Sequence, residues 1–206
     1  MKSVLIESQY TGSCTYWSIL LQSEKIIIDR HEHFVKRSYR NRAHILGANG
    51  LLRLSIPLVH GKHQHAAMKD VRISYKENWQ KLHWQSLTSC YRRSPFFEFY
   101  EDAFRRFYEN EFEFLTDYNF QLLQAIKGVL KTEMDIAFSD KYYRAADFEG
   151  TDFRSYMLPS KPAAHHFPEY PQVFSDRFAF QNDLSVLDVL FNLGSRSKEY
   201  LLSLKF

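Results

Sequence analysis

The stretch VLIESQYTGSCTYWSILLQSEKIIID, residues 4–29, decides the fold. Its two ends, Val4-Leu5-Ile6 and Ile26-Ile27-Ile28, are short apolar runs that predict buried strands. Between them Gly12 marks a turn, and apolar side chains in residues 14–22 recur at helical spacing. A strand, a helix and a second strand in so short a stretch form the minimal βαβ unit, which favours a parallel pair of strands.

A hairpin is expected next along the chain. Asn49-Gly50 separates two extended segments, and this dipeptide predicts a type I′ turn in which both residues have positive φ. Leu52 and Leu54 alternate with polar residues, as in a half-buried strand, and Pro57 ends that strand. Val71 and Ile73 fit one more short strand.

From Glu77 onward the apolar spacing becomes helical. We expect helices over residues 77–91, 97–108 and 112–130, and two short helices at the C-terminus, the first capped by Gly194. Between them, residues 139–172 form a long irregular segment, which is typical of functional lids and of mobile loops. The expected fold class is therefore α/β, with an N-terminal βαβ-like sheet region and hairpin, then a helical C-terminal half, in one domain of residues 1–206.

Composition narrows the class of protein. The chain has 206 residues, 45% hydrophobic and 25% charged, with only 7 Gly and 6 Pro, which excludes a disordered or fibrous chain. Its 18 Phe, 13 Tyr and 3 Trp fit an aromatic core, with a ligand groove as the alternative. We expect a cytoplasmic protein with free thiols and no membrane insertion. The two cysteines lack the spacing of a metal site, and the sequence shows no signal peptide and no bilayer-length apolar run.

The formal net charge of +3 is too small to indicate nucleic acid as a partner, but residues 30–44 are strongly basic. In a strand, Arg40 and Arg42 would point to one face and Asn41 to the other. Two guanidinium groups on one face form a fork for a phosphate or carboxylate, and Asn41 fits a sugar hydroxyl or an amide. The alternative is a solvated basic strand edge, which discourages edge pairing.

Two further residues are candidates for acid–base chemistry. Asp29 ends a predicted buried strand, where ligands of open α/β sheets bind, and with His31 it fits a general acid/base pair or, alternatively, a turn cap. His83 shares a helix face with Trp79, and it fits either a core histidine or a proton carrier. Cys14 is more typical of a small buried apolar residue than of a nucleophile.

Motifs for metals and common cofactors are missing from the sequence. His60, His63 and His65 are not accompanied by carboxylates or cysteines in a known arrangement, and neither is the pair His165-His166, so no metal is expected. The dinucleotide, P-loop and nucleophile-elbow motifs are also missing, which leaves the cofactor unknown.

Four blocks of sequence, taken together and in order, resemble the WbqC-like family of bacterial proteins. The first block departs from the family by having Gly12-Ser13 where a Pro-Trp or similar pair is common. The others match a strand ending in Asp with Asn-Arg and an Asn-Gly turn, a Trp-x-x-x-His followed by a Tyr-basic-x-x-Pro-aromatic stretch, and a closing helix. The blocks are ESQYTGSCTYW (7–17), IIIDRHEHFVKRSYRNRAHILGANGLLRLSIPL (26–58), NWQKLHWQSLTSCYRRSPFFEFY (78–100) and DLSVLDVLFNLG (183–194).

The resemblance implies a protein associated with O-antigen or other surface-polysaccharide synthesis. The implied activity is acyl or aminoacyl transfer to a nucleotide-activated sugar, with pathway enzymes as further partners. The alternative is a non-catalytic protein whose basic cleft holds a phosphorylated ligand or a partner enzyme. The polar positions that match the family's blocks, and therefore belong to the expected site, are Gln9, Asp29, Asn41, Arg42, His83, Tyr91, Asp188 and Asn192. Asp188 and Asn192 share a helix face, so they either line a pocket or tie the helix to a neighbouring backbone.

Overall fold

The computed structural model describes residues 1–59, 66–161, 163 and 165–205. The first half of this chain is rich in strands and the second half in helices. In chain order the elements are β1 (Ser3–Glu7), α1 (Cys14–Leu21), β2 (Lys25–Asp29), β3 (Arg42–Gly47), β4 (Gly50–Ser55), α2 (Trp79–Tyr91), α3 (Phe97–Arg105), α4 (Leu115–Val129), β5 (Asp135–Phe138), β6 (Thr151–Asp152), α5 (Val186–Leu193) and α6 (Ser197–Ser203).

A parallel sheet forms around the βαβ unit. β1 and β2 pair in parallel, with Val4 opposite Ile26 and Ile6 opposite Ile28, which confirms the predicted unit. The sheet has the order β5-β2-β1-β6, and all of its pairs are parallel. β5 and β6 were not predicted, because four and two residues are too few to show a strand period. The α/β fold class is confirmed, and all four carboxyl ends lie along one edge of the sheet.

The hairpin of β3 and β4 is also confirmed, but its turn differs from the prediction. Gly47 pairs with Gly50, so Ala48 and Asn49 form the two-residue loop. Of the predicted turn residues only Gly50 has a positive φ, of 100°. A type I′ turn needs positive φ at both of its central residues, and Asn49 does not have it, so the predicted type I′ turn at Asn49-Gly50 is wrong. Val71 and Ile73 form no strand, and Ile73 makes an isolated bridge to Leu58.

The predicted helices are present in the structure, although some of them begin or end at other residues than predicted. In α2 the side chains of Trp79, His83, Leu87 and Tyr91 are buried on one face, whereas Leu82 is 60% exposed. α4 begins three residues later than predicted. The backbone before it is extended, and the Phe112 ring packs against neighbouring aromatic rings instead of joining the helix.

Most of the aromatic side chains lie in the core or pack against it. The composition predicted such an aromatic core, with a ligand groove as the alternative. Phe191 of α5 is fully buried, and its ring lies 5.1–5.9 Å from the rings of Tyr91, Phe97 and Phe104. These contacts join α2, α3 and α5, and ring pairs at such distances stabilise a core beyond their buried area. The described residues of the segment 139–172 are largely irregular, as expected, apart from β6 and one short 3-10 helix.

Gly12, in the turn between β1 and α1, has no room for a side chain. Its φ is 72°, and a Cβ there would lie 2.6 Å from both Trp17 Nε1 and Tyr16 Cδ1. Gly12→Ala should therefore lower the free energy of unfolding by about 2–4 kcal/mol. Gly128→Ala, in a helix with open space around the new methyl group, should be neutral or stabilising by up to about 1 kcal/mol. Urea unfolding of both variants measures this, and equal stability of the two would contradict the geometry.

Candidate functional site

A basic pocket of about 670 Å³ lies between the hairpin and the start of α2. The loop before β3 supplies one wall, β4 supplies a second, and the first turns of α2 supply the third. The pocket opens to solvent, so a small molecule can enter it. Its polar lining residues are Lys36, Arg37, Asn41, Arg42, Arg53, Ser55, Glu77, Trp79 and His83.

Positive charge dominates this pocket. In the part of the chain that the structure describes, no carboxylate forms an ion pair with Lys36, Arg37, Arg42 or Arg53. Burial lowers the pKa of Arg42, and repulsion by the Arg53 and Arg37 guanidinium groups lowers it further. Arg42 Nε is shielded from solvent and has no hydrogen-bond partner among the described residues. An anion in the pocket would relieve this repulsion and give Arg42 a partner.

His83 forms part of the pocket's inner surface and is held by aromatic neighbours. Its Nδ1 lies 3.0 Å from the Tyr10 hydroxyl, which in turn lies 3.0 Å from the Tyr108 hydroxyl. Burial lowers the pKa of His83 to about 4, although a hydrogen bond to the Ser55 backbone favours the protonated form. The imidazole is therefore neutral near pH 7. Beside it, Trp79 Nε1 is a buried donor without a partner in the described chain.

Asn41 and Arg42 reach this pocket together, but Arg40 does not. β3 begins only at Arg42, so Arg40 and Arg42 do not share a strand face, and the predicted arginine fork is wrong. Arg40 is fully buried, and its Nε and Nη2 donate to the two carboxylate oxygens of Glu32 at 2.8 and 2.6 Å. Asn41 Nδ2 donates to the Ile56 carbonyl at 2.8 Å, and its Oδ1 has no partner among the described residues.

Asp29 and Gln9 lie instead at the carboxyl edge of the parallel sheet. Asp29 accepts hydrogen bonds from the backbone N–H groups of His31 and Glu32 and from the Ser139 hydroxyl, at 2.9–3.1 Å. It also pairs with Arg154, whose Nη1 lies 2.6 Å from Asp29 Oδ2. These contacts match the turn-cap interpretation, since Asp29 meets the backbone of His31.

Gln9 belongs to the same edge through Glu7. Gln9 Nε2 donates to Glu7 Oε1 at 2.9 Å, and the Ser155 N–H donates to Glu7 Oε2, also at 2.9 Å. Arg154 Nη2 pairs with Asp152 at 2.6 Å, so this arginine joins the ends of β2 and β6. The edge is a network of buried charges that is largely paired internally.

Tyr91, Asp188 and Asn192 form a third, separate group. The Tyr91 and Tyr170 hydroxyls donate to the two Asp188 carboxylate oxygens at 2.8 and 2.6 Å, and Asn192 Nδ2 donates to the Asp188 backbone carbonyl. Burial raises the pKa of Asp188 against these hydrogen bonds. Asp188 ties α5 to α2 and to the irregular segment through the two tyrosine side chains, whereas Asn192 bonds the backbone of its own helix, so the pair does not tie α5 to a neighbouring backbone.

Of the predicted site residues, three therefore lie together in the basic pocket: Asn41, Arg42 and His83. Sequence reasoning missed Arg53 there, although its alternation with Leu52 and Leu54 already placed it on the polar face of the hairpin. It also missed Arg154, which stands in an irregular segment without a pattern. The candidates His60, His63 and His65 lie outside the described residues. Among the residues the structure does describe, no group of three or more His, Cys, Asp or Glu is arranged to hold a metal ion.

The fold and the pocket together define an α/β protein with an anion-attracting pocket of small-molecule size. The family model of the WbqC-like protein family matches residues 8–150, and the chain belongs to this family. A Mycobacterium tuberculosis protein whose name is "Uncharacterized protein Rv1507c" is 25% identical over 228 residues, covering 97% of each chain. No solved structure matches the chain. Within the described ranges, no helix has the length and apolar character needed to span a bilayer.

The buried His83 makes a testable contribution to stability against pH. Between its ordinary pKa of 6.5 and the folded value of about 4, the folded protein binds fewer protons at His83 than the unfolded chain does. Stability should therefore fall as the pH drops through this window, by up to about 3 kcal/mol from this group. His83→Gln should reduce the loss, which urea unfolding at about pH 7 and about pH 4.5 measures for both proteins. Parallel losses in the two proteins would show that His83 is not buried in its neutral form.

Proposed function

We propose that the protein binds a nucleotide-activated sugar in the basic pocket and transfers an acyl or aminoacyl group to it in bacterial surface-glycan synthesis. The observation that carries the proposal is the concentration of cationic side chains around one pocket, with no carboxylate paired to them in the described chain. Phosphate oxygens are the natural partners of such guanidinium groups. Membership of the WbqC-like family supports the context, since the sequence blocks that carry the resemblance include the pocket residues Asn41, Arg42 and His83.

The pocket suits this ligand in size and in chemistry. Its volume of about 670 Å³ lies within the usual range of ligand pockets, roughly 300–1,000 Å³. Arg42 and Arg53 would hold the phosphates, and the unpartnered Trp79 N–H would donate to a further oxygen. The free acceptor Asn41 Oδ1 would receive a hydrogen bond from a sugar hydroxyl.

Group transfer requires that a proton leave the accepting hydroxyl or amine. His83 is the titratable side chain at the inner surface of the pocket, but a base with a pKa of about 4 is weak near pH 7. A bound diphosphate would place negative charge beside it and raise that pKa. In this proposal the ligand itself brings His83 closer to the range in which it accepts a proton.

The alternative function is a non-catalytic binding protein that uses the same pocket for a phosphorylated ligand or a partner enzyme. One observation favours it: the His83 ring already contacts Tyr10 and hydrogen-bonds the Ser55 backbone. A ring engaged in this way shapes the pocket without moving a proton. Nucleic acid fits less well, because the charge lines a pocket and the formal net charge is only +3.

Loss of the Arg42 guanidinium should weaken ligand binding. Arg42→Gln removes a charge-assisted hydrogen bond, so the dissociation constants for UDP-glucose and dTDP-glucose should rise about 10- to 100-fold. Isothermal titration calorimetry at two salt concentrations measures this, and higher salt should weaken binding to the unaltered protein. Arg93→Gln, at an exposed position after α2, is the matched control and should bind as the unaltered protein does. Equal affinity of the Arg42 variant and the control would rule out the basic pocket as the phosphate site.

Turnover separates the enzyme from the binding protein. With a nucleotide sugar and acyl-CoA supplied together, His83→Gln should lower product formation at least about 100-fold while changing ligand affinity less than about threefold. Mass spectrometry of the nucleotide sugar detects the added acyl group. Full activity in the His83 variant would remove His83 from the reaction. Tight ligand binding by the unaltered protein without product from any acyl donor would favour the non-catalytic function.

A further inference from the structure

A second, smaller pocket lies at the point where the strand order of the parallel sheet reverses. The chain runs from β1 outward to β2 and β5 and then returns to place β6 on the other side of β1. In open α/β sheets the crevice outside the carboxyl ends at such a reversal is a common ligand site. Here it is a pocket of about 290 Å³, which we call the switch-point pocket, lined by Thr15, Ser155, Met157, Lys161, His165 and Asp183 among others.

The switch-point pocket is distinct from the basic pocket but adjoins it through one segment of chain. Arg40 Nη2 lies 3.4 Å from Ser155 Oγ, at the wall of the switch-point pocket, while the next two residues, Asn41 and Arg42, line the basic pocket. Arg40 Nη1 is buried and has no hydrogen-bond partner among the described residues. The two pockets therefore lie on either side of residues 40–42, which the contacts of Arg40 hold in place.

The polar lining of the switch-point pocket begins at α1. Asp183 Oδ1 accepts the Thr15 N–H at 2.8 Å, and Thr15 Oγ1 lies 3.2 Å from His165 Nε2. Burial raises the pKa of Asp183 to about 6 against the hydrogen bonds from Thr15 and Ser13, so the carboxylate is ionised in most molecules near pH 7. Asp183 and Ser155 both have positive φ values, of 48° and 59°. Backbone strain of this kind clusters at ligand sites.

Two opposite charges line this pocket without neutralising each other. No ion pair joins Asp183 to Lys161, and neither forms one with any other described residue. The lining also includes the apolar side chains of Met157, Leu158 and Ala163. A ligand that carries a cation at one end, an anion at the other and a short apolar body would satisfy both charges and cover the apolar surface.

We propose that the switch-point pocket binds a free α-amino acid, with its ammonium group at Asp183 and Thr15 and its carboxylate at Lys161. His165 fixes the Thr15 hydroxyl, and Met157 and Leu158 contact the amino acid's side chain. The site stands on its own geometry and does not depend on what the basic pocket binds. The volume, at the lower end of the range for ligand pockets, fits one amino acid better than a nucleotide sugar.

The test is calorimetric titration of the unaltered protein with the free L-amino acids. At least one should bind, and the amine and the carboxylic acid that each lack one of its two charges should bind at least about tenfold more weakly. Asp183→Asn should weaken binding about tenfold or more, because the amide keeps the hydrogen bond from Thr15 and tolerates positive φ but loses the charge. Lys161→Gln should weaken it about two- to fivefold, as expected for an exposed charge.

Lys81→Gln, at an exposed position on α2, should leave amino-acid affinity unchanged, and thermal unfolding confirms that the Asp183 variant is folded. The proposal is overturned if no amino acid binds the unaltered protein, if a singly charged analogue binds equally well, or if both pocket variants keep full affinity. Because Arg42→Gln leaves this pocket intact, amino-acid binding that survives in that variant distinguishes this site from the basic pocket.

Discussion

The buried ion pairs at the carboxyl edge of the parallel sheet are the constraint on which the rest of the structure depends. Arg154 contacts both Asp29 and Asp152, and so fixes the irregular segment after β6 to the ends of two strands. Arg40, fully buried against Glu32, fixes the loop between β2 and β3 in the same way. Removing one partner of such a pair leaves an unpaired buried charge, at a cost of about 3–5 kcal/mol. These contacts therefore determine where the following residues lie.

Both pockets result from this arrangement. With Arg40 directed into the protein, Asn41 and Arg42 emerge on the opposite side, where β3 starts and the basic pocket begins. Arg154 holds its neighbour Ser155 against Glu7, at the wall of the switch-point pocket. The hydroxyl groups of Tyr10 and Tyr108 lie behind His83 in the core. Together they fix its imidazole at the inner surface of the basic pocket. Preorganised side chains of this kind reduce the entropy lost on binding.

The sequence predicted those parts of the fold that have a local signal. Residues 4–29 carry two short apolar runs around a helical period, and the structure has the βαβ unit that they predict. β5 and β6 were missed because their pairing depends on distant strands and their own length is too short for a period. The site was predicted less well for a related reason. Arg40 pairs with Glu32. Nothing in the pattern Arg40-Asn41-Arg42 shows that the Arg40 side chain points into the protein while Arg42 faces a pocket.

The hydrogen-bond partners of the polar residues distinguish those that hold the fold together from those that we propose bind a ligand. Asp29 and Asp188 looked as promising in the sequence as Arg42 did, yet each has at least three hydrogen-bond donors within the protein. Arg42, Trp79 and Asn41 converge on one pocket with donors and an acceptor that no described residue satisfies. A buried polar group without a partner is costly, so a protein that keeps several of them beside one cavity gains most when a ligand completes them. This argument supports our proposal that the basic pocket binds a phosphorylated ligand.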